Sequence, residues 1–491
     1  MGGLKRTWSL FSLTSTNAER PHNPELNTVS NRWRLGRKSK MLLAAALIVI
    51  VVVSAFIFLP RGNQASAIVQ PTDSPVSSMT PSATINPRNP DAVVPKPITP
   101  SKSPDESNRV PGIIETALEI SSATWLTIAK IAWRYYEPGV GVDTKTGLPW
   151  TGKGSPFMTD WDLGVYVQAV VDAAKLGIID NSTFNARMDK VLTWIETREL
   201  NDAGYPYWFY RADDGQVWHQ SSDVEGFLVD IADTGRLFVA LNSLKVYSQT
   251  VSPTLASRVD TVVYNQNGNR SDYHALVPAV RADSQTAISI YSYLVTSGFE
   301  CFWPTELAGA SARILTNIFA DSTGTTATPE GVTLPKAKIT GDPLLSVFFA
   351  LDNKDPDLFK LVNLTYSAHE AYYNATRQFR AFGEGPSFST DWQWEWVVLP
   401  DGRTWVPLTE AEEPTDCSPM IFTKVAFSFL AMYNTDYARN MVVYLETNMS
   451  DLAYGYFEGA NEEGATFHSF GSLTNGLILD AALYYVQNTP Y

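Results

Sequence analysis

From residue 113 to the C-terminus, apolar positions recur three or four apart, and turn-forming Gly, Pro, Asn and Asp separate the periodic stretches. This pattern predicts twelve helices, near 115–136, 160–177, 183–199, 224–244, 254–266, 284–297, 306–319, 342–352, 356–378, 418–434, 435–448 and 473–487. Alternate members are more apolar and richer in small residues. The second carries Asp162-Leu-Gly-Val-Tyr-Val-Gln-Ala169 and the fourth Asp233-Thr-Gly-Arg-Leu-Phe-Val-Ala240, both of the form D-x-G-x-x-x-x-A. Ala426 and Ala431 hold the small positions in the tenth helix, and Gly476 and Ala481 in the twelfth. Small residues at a fixed place let helices approach closely. Six such helices, each beside a more polar one, predict an inner ring within an outer ring. The expected fold is therefore all-α, an (α/α)6 toroid in which each hairpin buries its apolar face against its neighbours.

Two connections, 200–223 and 378–417, are long for plain loops. Within the second, Trp392-Gln-Trp394-Glu-Trp396-Val-Val alternates with period two, followed by Asp401-Gly402 and Arg403-Thr-Trp405-Val-Pro407. This predicts a small β-hairpin insertion with three Trp on one face.

The first 112 residues follow other rules. Residues 41–60 hold no charge and one polar residue, Ser54. A run of about 20 apolar residues spans a bilayer, and its place some 40 residues into the chain favours a retained transmembrane helix over a cleaved signal peptide. Residues 1–40 carry eight Lys or Arg against two Glu, with Arg32, Arg34, Arg37, Lys38 and Lys40 crowding the expected membrane edge. The positive-inside rule then predicts a cytoplasmic basic tail (1–40), a single span (41–60) and an exterior remainder. Residues 61–112, rich in Pro, Ser, Thr and Asn, read as a disordered linker to the domain at 113–491.

Charge narrows the partners. The whole chain is −14 and its first forty residues +6, which leaves −20 beyond them. That argues against nucleic acid and assigns the basic tail to topology and anionic lipid. Cys301 and Cys417, on the exterior side, admit one pairing that nothing in the sequence requires. No metal-ligand spacing, P-loop or dinucleotide fingerprint sits in a fitting context, so no metal or cofactor is expected.

Several segments carry a resemblance: Thr159-Asp-Trp161-Asp162-Leu-Gly164 with Tyr166 and Ala169, Phe184-x-x-Arg187, Pro206 with Tyr207-Trp-Phe-Tyr210, Ala232-Asp233-x-Gly235-Arg236-Leu237, Lys424-Val-Ala426-Phe, Gly455-Tyr-Phe457-Glu458-Gly459 and Leu473-Thr-Asn475. In this order and spacing they resemble the bacterial domain of unknown function 3131 family over nearly all of 113–491. The resemblance implies a helical toroid related to glycoside hydrolases and an association with envelope polysaccharide. It implies no established reaction.

The candidate chemistry is carboxylate chemistry. Asp160, Asp162, Asp233, Asp283, Asp342 and Asp416 stand at or just before helix starts, where Asp also serves as a cap. Asp162 and Asp233 share the repeated motif, and Arg236 lies one turn from Asp233. Glu384, between Gly383 and Gly385, and Glu458, before Gly459, precede inner helices. Glycoside hydrolysis needs two carboxyls, and Asp162, Asp233, Glu384 and Glu458 are the candidates. Asp160, Trp161, Tyr166, Arg236, Tyr207, Trp208, Trp392, Trp394 and Trp396 are candidate substrate contacts. Tyr205, Tyr210, Trp218 and Trp303 add flat apolar faces that equally suit core packing. The expected partner is a polysaccharide or oligosaccharide. A non-catalytic glycan-binding or scaffold role uses the same cleft, and a lyase fits an acidic mouth less well.

Overall fold

A computed structural model describes residues 112–488, apart from 118, 202–203, 219–230, 265–272, 352–354, 389–391, 410–411, 416–417 and 450–451. The expected tail, transmembrane span and all but the last residue of the linker lie outside the described residues, as do Cys417 and Asp416. Among the described residues, no helix is long and apolar enough to cross a membrane.

The helices are α1 (Ile113–Thr116), α2 (Ser122–Trp133), α3 (Asp160–Lys175), α4 (Asn181–Thr197), α5 (Ile231–Val251), α6 (Pro253–Val263), α7 (Val277–Ser284), α8 (Ile290–Phe302), α9 (Ala310–Ile318), α10 (Gly341–Ala350), α11 (Pro356–Thr376), α12 (Thr423–Tyr433), α13 (Asp436–Asn448) and α14 (Ser472–Asn488). Six of them close a ring, α3 on α5, α5 on α8, α8 on α10, α10 on α12, α12 on α14 and α14 back on α3. Each ring helix packs on an outer partner, α4, α6, α9, α11 and α13 each following its inner helix and α2 covering α14. The inner helices are buried almost all round, as in α3, where thirteen of sixteen residues are buried. A helix apolar on every side belongs inside.

The repeated glycines mark close approaches in the ring. A Cβ on Gly164 would lie 3.0 Å from the Leu237 Cα, and one on Gly235 would lie 2.7 Å from the Val295 Cα. The D-x-G motif is thus where α3 meets α5 and α5 meets α8.

The connections alternate in length. Residues 176–180, 252, 303–309, 351–355 and 434–435 join an inner helix to its outer partner in a few steps. Residues 134–159, 198–230, 264–289, 319–340, 377–422 and 449–471 lead back to the start of the next inner helix. All the long segments therefore gather at one mouth, where the inner helices begin.

These segments carry short strands: β1 (Phe157–Met158), β2 (Tyr210–Arg211), β3 (Thr325–Ala327), β4 (Thr333–Pro335), β5 (Glu384–Gly385), β6 (Gln393–Val398), β7 (Thr404–Thr409), β8 (Met420–Phe422), β9 (Gly459–Asn461) and β10 (Thr466–Phe467). The hairpin forms as β6 and β7 in antiparallel register, Trp394 opposite Leu408 and Trp396 opposite Val406, with β5 on its other edge.

Three expectations need correction. The helix read at 115–136 is two helices, α1 and α2, because the chain is extended at Ala117 and Ser121 caps a new start at Ser122. The helix read at 284–297 begins at Ile290, because Ser289 caps it and Ile290 N–H is taken by the Lys338 carbonyl. The helix read at 418–434 begins at Thr423. Residues 420–422 are strand β8, pairing with β9, and the Ala381 carbonyl accepts from Phe422 N–H. Helix α7 and the small strand pairs were not foreseen, since each is too short to carry a period.

Candidate functional site

Strand β8 positions the centre of the mouth. On one side Ala381 pairs with Ile421, so the segment leading to Glu384 is fixed to β8. On the other side β9 pairs with β8, and Thr423 N–H donates to the Glu458 carbonyl at 2.9 Å. Both glutamates are thus pinned to one strand and the first turn of α12. Lys424 stands in that turn, fully buried. Its ammonium pairs with the equally buried Asp342 carboxylate in the first turn of α10 and donates to the Glu384 carbonyl at 2.6 Å.

The Glu384 carboxylate is buried. Its Oε2 accepts from Trp394 Nε1 at 2.7 Å and Trp392 Nε1 at 3.2 Å. Burial, and then the Asp342 charge, push its pKa up to about 7, against the lowering effects of Lys424, Tyr291 and Trp392. Glu458 is buried too. Its Oε2 accepts from the Thr474 hydroxyl at 2.5 Å in the first turn of α14. Burial raises its pKa, while Lys424 and Thr474 favour its ionised form. A Cβ on Gly471 would lie 1.9 Å from Glu458 Oε1, so only a glycine lets that loop pass over the carboxylate.

Asp162 completes a capping box. It accepts from Thr159 N–H at 3.0 Å, while Thr159 caps the start of α3. Burial pushes its pKa up to about 6, with Thr159 and Thr151 opposing. It lies on the Glu458 side of the mouth: Thr151, whose side chain bonds Asp162, takes the Ser472 N–H on its carbonyl at 3.0 Å, beside the Gly471 that passes over Glu458. The structure therefore brings Asp162, Glu384 and Glu458 together at one mouth and adds Asp342 and Lys424. Asp233 lies half-buried in the first described turn of α5, at the same end of the ring.

The other expected contacts divide. Trp161 and Trp396 both lie against Tyr291, at centroid distances of 6.1 and 5.8 Å. Trp396 is buried in a small core with Leu399 and Leu408, so it supports the site rather than facing a ligand. Trp161, Tyr291, Trp392 and Trp394 form an aromatic face beside Glu384. Asp160 does not join it. Both its oxygens are held by the buried Arg198, at 2.5 and 3.2 Å, so it anchors the segment after α4. Tyr166 is fully buried between α3 and α4, where Arg187 Nη1 donates to its hydroxyl at 3.3 Å. Arg236 is buried inside the ring, where the charges of Asp480, Asp342 and Asp172 surround it. It is neither a surface partner of Asp233 nor open to a ligand. Tyr207 is buried against Tyr210, and Trp208 is half-buried against Phe209. Trp303 is core, packed on Phe238, Phe299 and Phe302. Cys301 is a free thiol, and burial pushes its pKa up to about 11. Among the described residues, no group of three or more His, Cys, Asp or Glu is placed to hold a metal ion.

Sequence reasoning named Asp342 among the acids at helix starts but not among the catalytic candidates, and it did not select Lys424 or Tyr291 for the site. The signal for Lys424 was present: it is the single charge in the apolar run Met420-Ile-Phe-Thr-Lys-Val-Ala-Phe427. A lone buried charge needs a buried partner.

This architecture has solved counterparts. A putative glucoamylase from Bacteroides caccae ATCC 43185 superposes with a TM-score of 0.53 at 14% identity, over 74% of this chain and 94% of that one. An endo-beta-1,2-glucanase from Chitinophaga pinensis, in complex with sophorotriose and glucose, superposes with a TM-score of 0.52 at 13% identity, over 76% and 96%. The endo-beta-1,2-glucanase from Talaromyces funiculosus with sophorose gives 0.52 at 12% identity, over 77% and 88%. At such identities the likeness shows the fold alone, a mostly helical chain resembling these toroids. No curated protein matches the chain in sequence. Residues 127–488 match the family described as protein of unknown function (DUF3131), and the chain belongs to that family.

Proposed function

We propose that the chain is a membrane-anchored, extracytoplasmic glycan-processing enzyme, a glycoside hydrolase acting on an envelope or extracellular polysaccharide by carboxylate acid–base catalysis. The observation that carries this reading is the pair of buried glutamates fixed to β8, Glu384 and Glu458, on either side of the Asp342–Lys424 ion pair. A proton donor must be protonated at working pH, and a pKa of about 7 meets that need for Glu384. In the cleavage step Glu384 gives its proton to the glycosidic oxygen as the bond from that oxygen to the anomeric carbon breaks. The second role, attack on the anomeric carbon or removal of a proton from the attacking water, falls to Glu458, whose ionised form Lys424 favours. The aromatic face of Trp161, Tyr291, Trp392 and Trp394 suits the apolar faces of sugar rings. The toroidal neighbours solved with sophorotriose and sophorose support a carbohydrate partner, and the acidic balance of the chain favours neutral sugars over uronates. The apolar run 41–60 and its basic flank support the anchor.

The test is a panel of soluble polysaccharides incubated with wild type, Glu384→Gln and Glu458→Gln, with products separated by size. Removal of a general acid costs roughly a hundredfold or more in rate. Product formation from at least one glycan, lost in both variants with folding intact, is the expected result. Binding without product would replace hydrolysis by a glycan-binding role.

A further inference from the structure

A second set of aromatic side chains lies at the mouth, outside the candidate residues above. Phe388 follows Glu384 by four residues, is 47% exposed, and meets Phe467 of β10 edge-on at 5.2 Å. Tyr454 is 38% exposed and meets Phe470 at 5.7 Å, with Lys153 over its ring. The segment carrying Phe467 and Phe470 covers Glu458, whose N–H donates to the Ser469 carbonyl at 2.9 Å. It is also held to the entry of α3, because Lys153 N–H donates to the Phe470 carbonyl at 2.9 Å.

Contacts with the two glutamates give this cluster its meaning. The face described above is bonded to Glu384, whose carboxylate accepts from Trp392 and Trp394. The second cluster sits on the segment that opens α14, which is bonded to the Glu458 backbone. Lys424 bears on both carboxylates and donates to the Glu384 carbonyl. Phe388 and Tyr454 are two of the five large apolar side chains that the described surface leaves exposed, and both belong to this cluster.

We propose that Phe388, Tyr454, Phe467 and Phe470 form a second sugar subsite on the Glu458 side, complementing the Trp392–Trp394 face on the Glu384 side, so that the carboxylates meet the interior of a bound glycan chain and the enzyme cuts internal linkages. This rests on the proposed hydrolase reading. Sugar rings stack on both faces and the scissile bond is held midway. A pocket closed on one side would instead take a chain end and release single sugars.

The experiment uses the full chain with linear β-1,2-glucan, β-1,3-glucan and an α-1,4-glucan as probes, and compares wild type, Phe388→Ala and Tyr454→Ala. Two readings are taken: product size during the first few per cent of turnover, and retardation in affinity gels cast with each glucan. The expected result is a fall in mean chain length before single sugars accumulate, with each variant about tenfold weaker in retardation on the glucan that is cleaved. Single sugars as the first product would overturn internal cleavage while leaving hydrolysis standing. Retardation without cleavage, lost in both variants, would remove the hydrolase reading and keep the subsite. Retardation equal in wild type and both variants, or none with any probe, would overturn the subsite.

Discussion

At the scale of single residues, the site holds charges where the fold least favours them. Burial is the first cause of the raised pKa of Glu384, from its ordinary 4.5 to about 7. Ionising this group therefore costs folding free energy. Stability tied to its proton is fully present below about pH 4.5 and is lost as pH rises through about 7. Glu384→Gln removes that cost, so urea melts should show the variant gaining on wild type between pH 5 and pH 8, by an amount on the order of 3 kcal/mol. The same proton sets activity: hydrolysis should fall as pH passes 7. An unchanged difference across that range would place the titrating proton elsewhere. Lys424 and Asp342 make the complementary case, both fully buried and paired. Lys424→Met leaves Asp342 unpaired and should cost about 3–5 kcal/mol, whereas Lys424→Met with Asp342→Asn should recover most of it. Additive losses in the double variant would show that the two do not act as a pair.

At the scale of elements, the chain's legibility follows the length of its periodic signals. The D-x-G repeat marks inner helices because a ring forces backbones together. Gly235 shows it: a Cβ there would meet the Val295 Cα at 2.7 Å and its Cγ1 at 2.8 Å. Gly235→Ala should therefore destabilise by about 1–3 kcal/mol, while Gly152→Ala, whose Cβ would meet only the Phe470 carbonyl oxygen at 3.5 Å, should be near neutral. Thermal melts of the two variants decide the matter, and equal midpoints would deny the close packing. Strand β8 was unreadable for the opposite reason. Met420-Ile-Phe is apolar on both faces and only three residues long, so it merges with the start of α12 in any periodic reading. Yet β8 fixes Glu384 on one side of it and Glu458 on the other. The carboxylates were visible as types in suggestive places. Their convergence was not, because it depends on pairings between residues 381, 421 and 460. Asp160 and Arg236 show the reverse: both looked like mouth residues by position, and Arg198 and the Asp172–Asp480 cluster hold them inside.

At the scale of the whole molecule, alternating connection lengths separate two ends. The short turns lie where the inner helices finish, and the long segments that carry Glu384, Glu458 and the aromatic faces lie where they begin. Helix α2 ends beside the mouth, since Tyr135 just beyond it feels both Asp162 and Glu458. Its start lies at the other end, where the Tyr485 hydroxyl, near the finish of α14, donates to the Ile120 carbonyl at 2.8 Å. Helix α1 before it lies beside the last turn of α13, where Ile114 N–H donates to the buried Glu446 carboxylate at 2.9 Å. The proposed anchor predicts how the protein is held in a cell. Residues 41–60 should keep the full chain in the membrane fraction through a carbonate wash, and their deletion should release it. A reporter active only outside the cytoplasm, fused after residue 491, should be active with the span present and silent without it. If that reporter stays silent on the intact chain while one active only in the cytoplasm reports, the basic flank has been misread. The glycan would then have to be sought inside the cell.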